Sequence, residues 1–263
     1  GNCKLQWKVD WAMRWFVLEV DYEMNGKDLI ESFLLSSKIN KVLGGIPPTN
    51  LTYELFLDAN GEKISKSIGN GISVDDWLKF SPKESLKLFM FQSPKKAKRL
   101  FFDVIPKVTD EFIKFKNIYP QQNEIDRFNN PIWFIDDSSF ELLPDNLSFN
   151  MILNLASVCN AENSNILWGF VESYYPNMSK KKNIFLSELL EYGVNYYKKF
   201  ILPKKEYRNP TDQEKKALGL LLERLKSMEA NGPSAVEIQN NIYEIGRING
   251  FENLRDWFVS FYE

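Results

Sequence analysis

The amino-acid sequence predicts a mixed fold class, with an α/β part over residues 1–80 and an all-α part over residues 81–263. Three observations lead to this prediction. In the run "LTYELFLD", residues 51–58, apolar side chains stand at every second position, as they do in a strand. From Ser81 onward, apolar residues recur at helical spacing and one helix-start signature appears three times. A hydrophobic fraction of 44% in 263 residues is enough for a sizeable core.

The α/β part begins with a predicted helix and ends in a predicted hairpin. Three tryptophans, Trp7, Trp11 and Trp15, stand four residues apart, which is the spacing of a buried helix face. After the strand, Asn60-Gly61 is a pair that adopts the positive φ angles of a tight turn. We therefore expect residues 62–67 to return beside the strand, which places their lysines at the tip of a hairpin arm.

The all-α part is marked by repeated N-terminal capping signatures. They occur at Ser81–Glu84 with Pro82 at the first helical position, at Thr211–Glu214 and at Ser234–Glu237. The second predicts a helix to about Ala230 that stops at Asn231-Gly232, and the third a helix to about Ile248. Four more segments show helical spacing, for a total of six or seven helices: 95–115, 149–160, 184–200 and 251–262. Residues 118–144, rich in Pro, Asn and Asp, predict a loop or insertion.

Composition excludes several classes of function. The chain has 33 basic and 35 acidic side chains, so contact with nucleic acid needs local patches. It contains no histidine, which removes imidazole acid–base chemistry, His-dependent nucleophilic triads and most zinc sites from these residues. Cys3 and Cys159 match no metal-ligand spacing, and we expect no metal site. No signal peptide or apolar run of membrane length appears, which favours an intracellular protein.

The run "KISKSIGNG", residues 63–71, carries the clearest chemistry. Lysines act as point charges for polyphosphate, and glycines let the backbone approach anionic oxygens. The alternative is an ordinary surface turn, because exposed hairpins commonly carry Lys and Ser.

"KISKS" resembles the KMSKS signature of class I aminoacyl-tRNA synthetases, with Ile64 in place of Met. Other segments, in the same order as in the family, resemble class I lysyl-tRNA synthetase of the bacterial type: "CKLQWKVDWAMRW", "NGKD", "GGIPP", "YELFLD", "FDVIP" and "NIYEIGR". One position departs from several relatives, since Leu29 stands where they have His.

The resemblance implies a fold and an activity. Residues 1–80 would be the second half of a Rossmann-type catalytic domain with the KMSKS-loop region, and residues 81–263 an α-helical anticodon-binding domain. The activity would be that of a lysine–tRNA ligase, which converts lysine and ATP to lysyl-adenylate and transfers the lysyl group to tRNA for lysine. We expect Mg²⁺ with ATP, no bound organic cofactor, no membrane partner, a monomer and a cytoplasmic location.

The resemblance also implies site residues. Lys66 and then Lys63 are the candidates for stabilising the departing phosphates, with Ser65, Ser67, Gly69 and Asn70 shaping the ATP-binding loop. Lysine would be bound by Trp7, Asp10 and Tyr53, through an aromatic wall and a carboxylate. The tryptophan stripe has a competing interpretation as core packing, above all at Trp15.

Two groups of residues are candidates for binding tRNA. Lys95, Lys96, Lys98 and Arg99 form the densest basic cluster, on a predicted helix, and would contact phosphates. Arg247, Arg255 and Trp257 would read single-stranded anticodon bases. A solvated helix face explains the first group equally well, and amphipathic packing explains the second.

A chain without histidine cannot contain the HIGH-type motif that the family uses to hold ATP phosphates. We therefore expect a fragment that lacks the N-terminal half and the extreme C-terminal tail, and that is inactive in isolation. The alternative is a non-catalytic α-helical module, derived from a synthetase, that binds tRNA or another protein. An unrelated helical scaffold with a chance loop would need five independent motif matches in order.

Overall fold

A computed structural model describes residues 4–65, 67–135, 141–229 and 232–261. The chain divides into two compact units, Gly1–Lys199 and Phe200–Glu263. The predicted boundary at residue 80 falls inside the first unit. That this boundary separates a catalytic domain from an anticodon-binding domain stays a prediction.

The first unit begins with a strand–helix–strand motif packed against one further helix. Its elements are α1 (Trp7–Leu18), β1 (Tyr22–Gly26), α2 (Ile30–Val42) and β2 (Thr49–Tyr53). The two strands are parallel, with Tyr22 opposite Thr49 and Gly26 opposite Tyr53. Helix α1 packs on α2, where the Asn40 side-chain amide donates to the Ala12 carbonyl at 3.2 Å. The predicted helix at the tryptophan stripe is confirmed.

The single strand predicted over residues 51–58 is wrong in one respect, because it is divided between two sheets. Strand β2 ends at Tyr53, and β3 (Phe56–Leu57) pairs in parallel with β4 (Lys98–Arg99). Between them, the Glu54 amide donates to the Pro94 carbonyl at 2.9 Å. This long-range bond draws the chain out of the first sheet, and local alternation carries no signal of it.

The helices of the rest of the chain are more numerous than predicted. After residue 81 the described residues contain ten: α4 (Lys83–Phe91), α5 (Val104–Ile118), α6 (Glu124–Asn129), α7 (Ile132–Ile135), α8 (Phe149–Val158), α9 (Ser164–Tyr174), α10 (Ile184–Tyr196), α11 (Asp212–Glu229), α12 (Ala235–Ile248) and α13 (Leu254–Val259). A further short helix, α3 (Val74–Leu78), precedes them. Helix α9 was not predicted. The segment 118–144, expected to be a loop or insertion, contains α6 and α7, and Ile132 and Ile135 pack with Leu88 and Phe112.

Two of the three predicted capping boxes are confirmed. The Glu214 carboxylate accepts from the Thr211 amide at 2.7 Å, and Ser234 and Glu237 form the reciprocal pair. The box at Ser81 is wrong, since α4 begins at Lys83 without a side-chain cap. The Ser81 hydroxyl is buried and lies 2.6 Å from the hydroxyls of Ser85 and Thr109. A buried hydroxyl network has replaced the cap.

The helix predicted from residue 95 is wrong in its first half. Residues 98–99 form β4, and α5 starts only at Val104. The backbone of this segment pairs with β3, and the Leu100 amide donates to the Leu57 carbonyl at 2.7 Å. A pairing with residues about forty positions earlier overrode the local helical spacing.

The second unit contains α11, α12 and α13 around a small apolar core of Ala217, Leu221, Ile245 and Trp257. In the described residues, no helix combines the length and the apolar character that crossing a membrane requires.

Candidate functional site

A hairpin arm, residues 56–71 and here called the KISKS arm, carries the predicted phosphate-binding loop. Its turn runs from Asp58 to Gly61, with the Gly61 amide donating to the Asp58 carbonyl at 3.1 Å. Gly61 has a φ of +86°, a conformation that favours glycine. Asn60 does not share it, so the predicted pair of positive φ angles is wrong, and one glycine at the last position of the four-residue turn suffices.

The predicted return of the chain beside the strand is confirmed. The Ile64 amide donates to the Phe56 carbonyl at 3.2 Å, and Leu57 and Lys63 form an antiparallel bridge. Lys63 is thereby fixed at its backbone. Its side chain is 57% exposed, with Nζ 3.6 Å from Oδ2 of Asp28.

Asp58 organises the arm, and sequence reasoning missed it. Its Oδ1 accepts from the amides of Asn60 and Glu62, both at 2.9 Å, and its Oδ2 accepts from the Asn70 side chain at 2.9 Å. Its pKa is lowered by the hydrogen bond from the Glu62 amide and then by that from Asn70. The available signal was an acidic residue two positions before Asn-Gly, which is typical of a turn.

Asn70 closes the loop from the other side. Its Oδ1 accepts from the Ser65 amide at 3.0 Å, while its Nδ2 reaches Asp58. One side chain therefore joins the start of the loop to the turn. The sequence placed Asn70 in the loop but did not predict this bracing contact.

The other loop residues are brought together as predicted, although their contact with ATP stays a prediction. The hydroxyls of Ser65 and Ser67 lie 2.8 Å apart, and the Gly69 amide donates to the Ser65 carbonyl at 3.0 Å. Gly69 has a φ of +70°, and a Cβ there would meet no atom within 4 Å. Lys66, the first candidate for the catalytic cation, lies outside the described residues.

A polar cleft of about 360 Å³ lies at the C-terminal ends of β1 and β2, the edge where parallel sheets commonly bind ligands. It is lined by Lys27, Ile30, Asn50, Thr52, Tyr53, Glu54 and Lys95. Lys27 Nζ bonds Oε1 of Glu54 at 2.8 Å, and this bond is the main cause of the lowered pKa of Glu54. Tyr53 is the one predicted lysine-binding residue in this cleft; Lys27 and Glu54 were not predicted.

The other two predicted lysine-binding residues lie on α1. Trp7 is 50% exposed and its ring is 5.5 Å from that of Trp11, while Asp10 bonds Arg14 at 2.9 Å. The indole nitrogens of Trp11 and Trp15 both donate to Oε2 of Glu23, at 3.3 and 2.7 Å. Trp15 is 2% exposed, which agrees with packing, and the role of Trp7 and Asp10 in lysine binding stays a prediction.

The basic cluster is split by β4. Lys95, Lys96 and Arg99 are exposed, whereas the Lys98 ammonium turns inward to backbone carbonyls. Arg99 lies beside the turn of the arm, since a Cβ on Gly61 would be 3.6 Å from its Nη2. Three of the four cations are therefore accessible.

In the second unit, Arg247 and Arg255 are exposed. Trp257 is fully buried, and its indole nitrogen donates to the Ile242 carbonyl at 2.9 Å. Its burial agrees with the packing interpretation. As for metals, no group of three or more His, Cys, Asp or Glu side chains that could hold one occurs among the described residues.

Comparison with known proteins shows what this amino-acid sequence is similar to. Residues 1–139 match the family model described as tRNA synthetases class I (K). The chain is 48% identical over 265 residues to a lysine–tRNA ligase of Rickettsia peacockii (strain Rustic), covering 100% of this chain and 51% of that protein. It is 48% identical over 265 residues to that of Rickettsia felis, and covers 50% of it. The chain thus spans about half the length of the curated relatives it matches.

Proposed function

This chain belongs to the class I (K) family of tRNA synthetases, and on that premise we propose that it is part of a lysine–tRNA ligase. The reaction has two steps. The lysine carboxylate attacks the α-phosphate of ATP, giving lysyl-adenylate and pyrophosphate, and the terminal ribose hydroxyl of the tRNA then takes the lysyl group. Residues 1–80 contribute to activation, and the helices after residue 80 contribute to tRNA binding.

The observation that carries the proposal is the braced KISKS arm. Asp58 and Asn70 hold the ends of a loop that carries the exposed Lys63 and Ser67 and the half-buried Ser65. Such a loop, with its cation and glycines, suits closure over a polyphosphate.

The arm acts by charge stabilisation. Negative charge grows on the β- and γ-phosphates as the bond to the α-phosphate breaks, so lysines that approach them at that moment lower the barrier selectively. Lys63 exchanges its contact with Asp28 for a phosphate oxygen, and Lys66 supplies a second positive charge. Mg²⁺ that arrives with ATP neutralises part of the same charge.

The cleft beside the arm is the proposed site for lysine. Tyr53 offers a ring to the aliphatic stem of the substrate, and Glu54 exchanges its bond with Lys27 for the substrate ammonium group. Trp7 and Asp10 on α1, which do not line this cleft, stay proposed contacts of lysine. Exposed Lys95, Lys96 and Arg99 contact tRNA phosphates, and exposed Arg247 and Arg255 contact anticodon nucleotides.

The test is lysine-dependent exchange of pyrophosphate into ATP by the natural gene product that contains this chain. Lys66→Ala and Lys63→Ala should each reduce the rate about a hundredfold, as the loss of a preorganised donor does. Lys114→Ala, which removes an exposed lysine on α5, is the matched control and should leave the rate unchanged. Equal rates in all four proteins would contradict the role of the arm.

A second candidate function is that of a non-catalytic helical module that binds tRNA, because this chain itself carries no histidine to hold ATP phosphates. Pyrophosphate exchange and a tRNA-binding assay on the same protein separate the two. A gene product that binds tRNA for lysine but forms no lysyl-adenylate is the binding module, whereas lysine-dependent exchange establishes the ligase.

A further inference from the structure

Lys98 lies where the KISKS arm meets helix α4. Strand β4 places Lys98 opposite Phe56, the first residue of β3. Strand β3 leads directly into the turn of the arm, and the Phe56 carbonyl accepts from the Ile64 amide at 3.2 Å. The backbone of Lys98 is thus one strand away from the segment that carries Lys63.

The side chain of Lys98 turns away from solvent and onto the C-terminal end of α4. Its Nζ donates to the Gln92 carbonyl at 2.6 Å and also to the Phe89 carbonyl. Carbonyls at a helix C-terminus lack partners within the helix and carry the negative end of its dipole, so a cation is favourable there. Burial lowers the pKa of Lys98, in agreement with this enclosed position.

The same ammonium faces two aromatic rings. It lies 4.7 Å from the ring centroid of Phe89 on α4 and 5.8 Å from that of Phe56 on β3. The two rings are themselves stacked at 5.8 Å. Lys98 therefore contacts α4 through carbonyls and a ring, and β3 through a ring and backbone pairing.

We propose that Lys98 is a positioning residue, which fixes β3 and through it Lys63 against the end of α4. This inference rests on the proposed function, because it explains how the arm is held for the activation step. It also separates Lys98 from its exposed neighbours Lys95, Lys96 and Arg99, since an ammonium enclosed by two carbonyls and two rings is not presented to a tRNA phosphate.

The test uses the natural gene product and the variants Lys98→Met, Lys98→Arg and Lys107→Met. Met keeps the length of the stem without the charge, Arg keeps the charge, and Lys107 is an exposed lysine on α5 that serves as control. For each protein we would measure kcat and KM for lysine in pyrophosphate exchange, tRNA affinity at two salt concentrations, and amide hydrogen exchange at Ile64 and Leu100.

We expect Lys98→Met to lower kcat about tenfold, because a small displacement of a catalytic group has an effect of at least this order. KM for lysine and tRNA affinity should stay unchanged, and the amides of Ile64 and Leu100, which bond β3, should exchange faster. Lys98→Arg should recover part of the lost kcat and part of the lost amide protection, and Lys107→Met should match the wild type. If Lys98→Met fails to fold, the partial loss in Lys98→Arg carries the test.

Two results would overturn the proposal. Weaker tRNA binding with a smaller salt dependence, at unchanged kcat and unchanged exchange, would make Lys98 a phosphate contact. A lower kcat with unchanged exchange at Ile64 would remove the positioning role. If the wild type forms no lysyl-adenylate, the proposed function fails separately, and amide exchange still decides whether Lys98 holds the arm.

Discussion

At the scale of single residues, the geometry of the loop depends on the pair Asp58 and Asn70. A carboxylate that accepts from two backbone amides and one side-chain amide is satisfied only while the loop is folded. Asn70 can donate to Asp58 and accept from Ser65 at the same time because its amide has both functions.

Replacing Asn70 by Asp should therefore disable the arm. Two carboxylates would face each other where one now accepts a hydrogen bond, so we expect the rate of lysine-dependent pyrophosphate exchange to fall at least tenfold. The double variant Asp58→Asn with Asn70→Asp restores one donor and one acceptor, and should recover part of the rate. If the double variant raises the activation free energy by the sum of the two single increases, the pair does not act as a unit.

Gly69 tests the backbone of the same loop. Its φ of +70° is costly for alanine by about 1 kcal/mol, although a Cβ there meets no atom within 4 Å. Gly69→Ala should thus slow exchange several-fold without a steric clash. Gly169→Ala, in the interior of α9 and equally free of contacts, should leave the rate unchanged and raise the Tm. The same slowing in both variants would rule out a role of positive φ.

At the scale of elements, local rules predicted the parts of the structure that local contacts determine. The hairpin return at Gly61 and the caps of α11 and α12 follow from residues within a few positions of one another. Strand β4 and the start of α4 do not. A two-residue strand has no periodicity, and Ser81 bonds not only the nearby Ser85 but also Thr109, which is distant in sequence. The bracing by Asp58 was within reach of sequence reasoning, whereas the inward turn of Lys98 was not.

The N-terminal cap of α11 gives a prediction of pH dependence. Glu214 accepts from Arg208 at 2.7 and 2.8 Å and from the Thr211 amide, and these bonds lower the pKa of Glu214 to about 2. A carboxyl group with a lowered folded-state pKa stabilises the protein above its unfolded pKa of 4.5, and this stability is lost as the pH falls from there towards about 2.

We therefore expect Glu214→Gln to unfold at a lower Tm than the wild type at pH 7. The free energy of unfolding should fall by about 1 kcal/mol, a typical loss for a helix cap. The difference should shrink as the pH falls below 4.5, because the protonated wild-type carboxyl increasingly resembles the amide. Circular dichroism melts at several pH values would measure it. Glu223→Gln, an exposed position on the same helix, is the control. A difference that stays constant with pH would contradict the assignment.

At the scale of the whole molecule, the residues that match the family model include only some of the candidate functional residues. The matched residues 1–139 contain the KISKS arm and the polar cleft, while the exposed arginines Arg247 and Arg255 lie outside them. The two compact units can accordingly be tested separately for their contributions to tRNA binding, through point variants in the intact protein.

The two groups of exposed basic residues should contribute to tRNA binding in different ways. Phosphate contacts carry no sequence information, so replacing Lys95, Lys96 and Arg99 by Ala should weaken binding of tRNA for lysine and of an unrelated tRNA equally. The slope of log K against log salt should also become shallower, by roughly 0.7 to 0.9 for each lost contact.

Replacing Arg247 and Arg255 should instead reduce the discrimination between the two tRNAs, since these side chains are proposed to face the anticodon. Filter binding at two salt concentrations measures both effects. Loss of discrimination from the first set of variants, with an unchanged salt slope, would place recognition near the arm and would contradict the anticodon assignment.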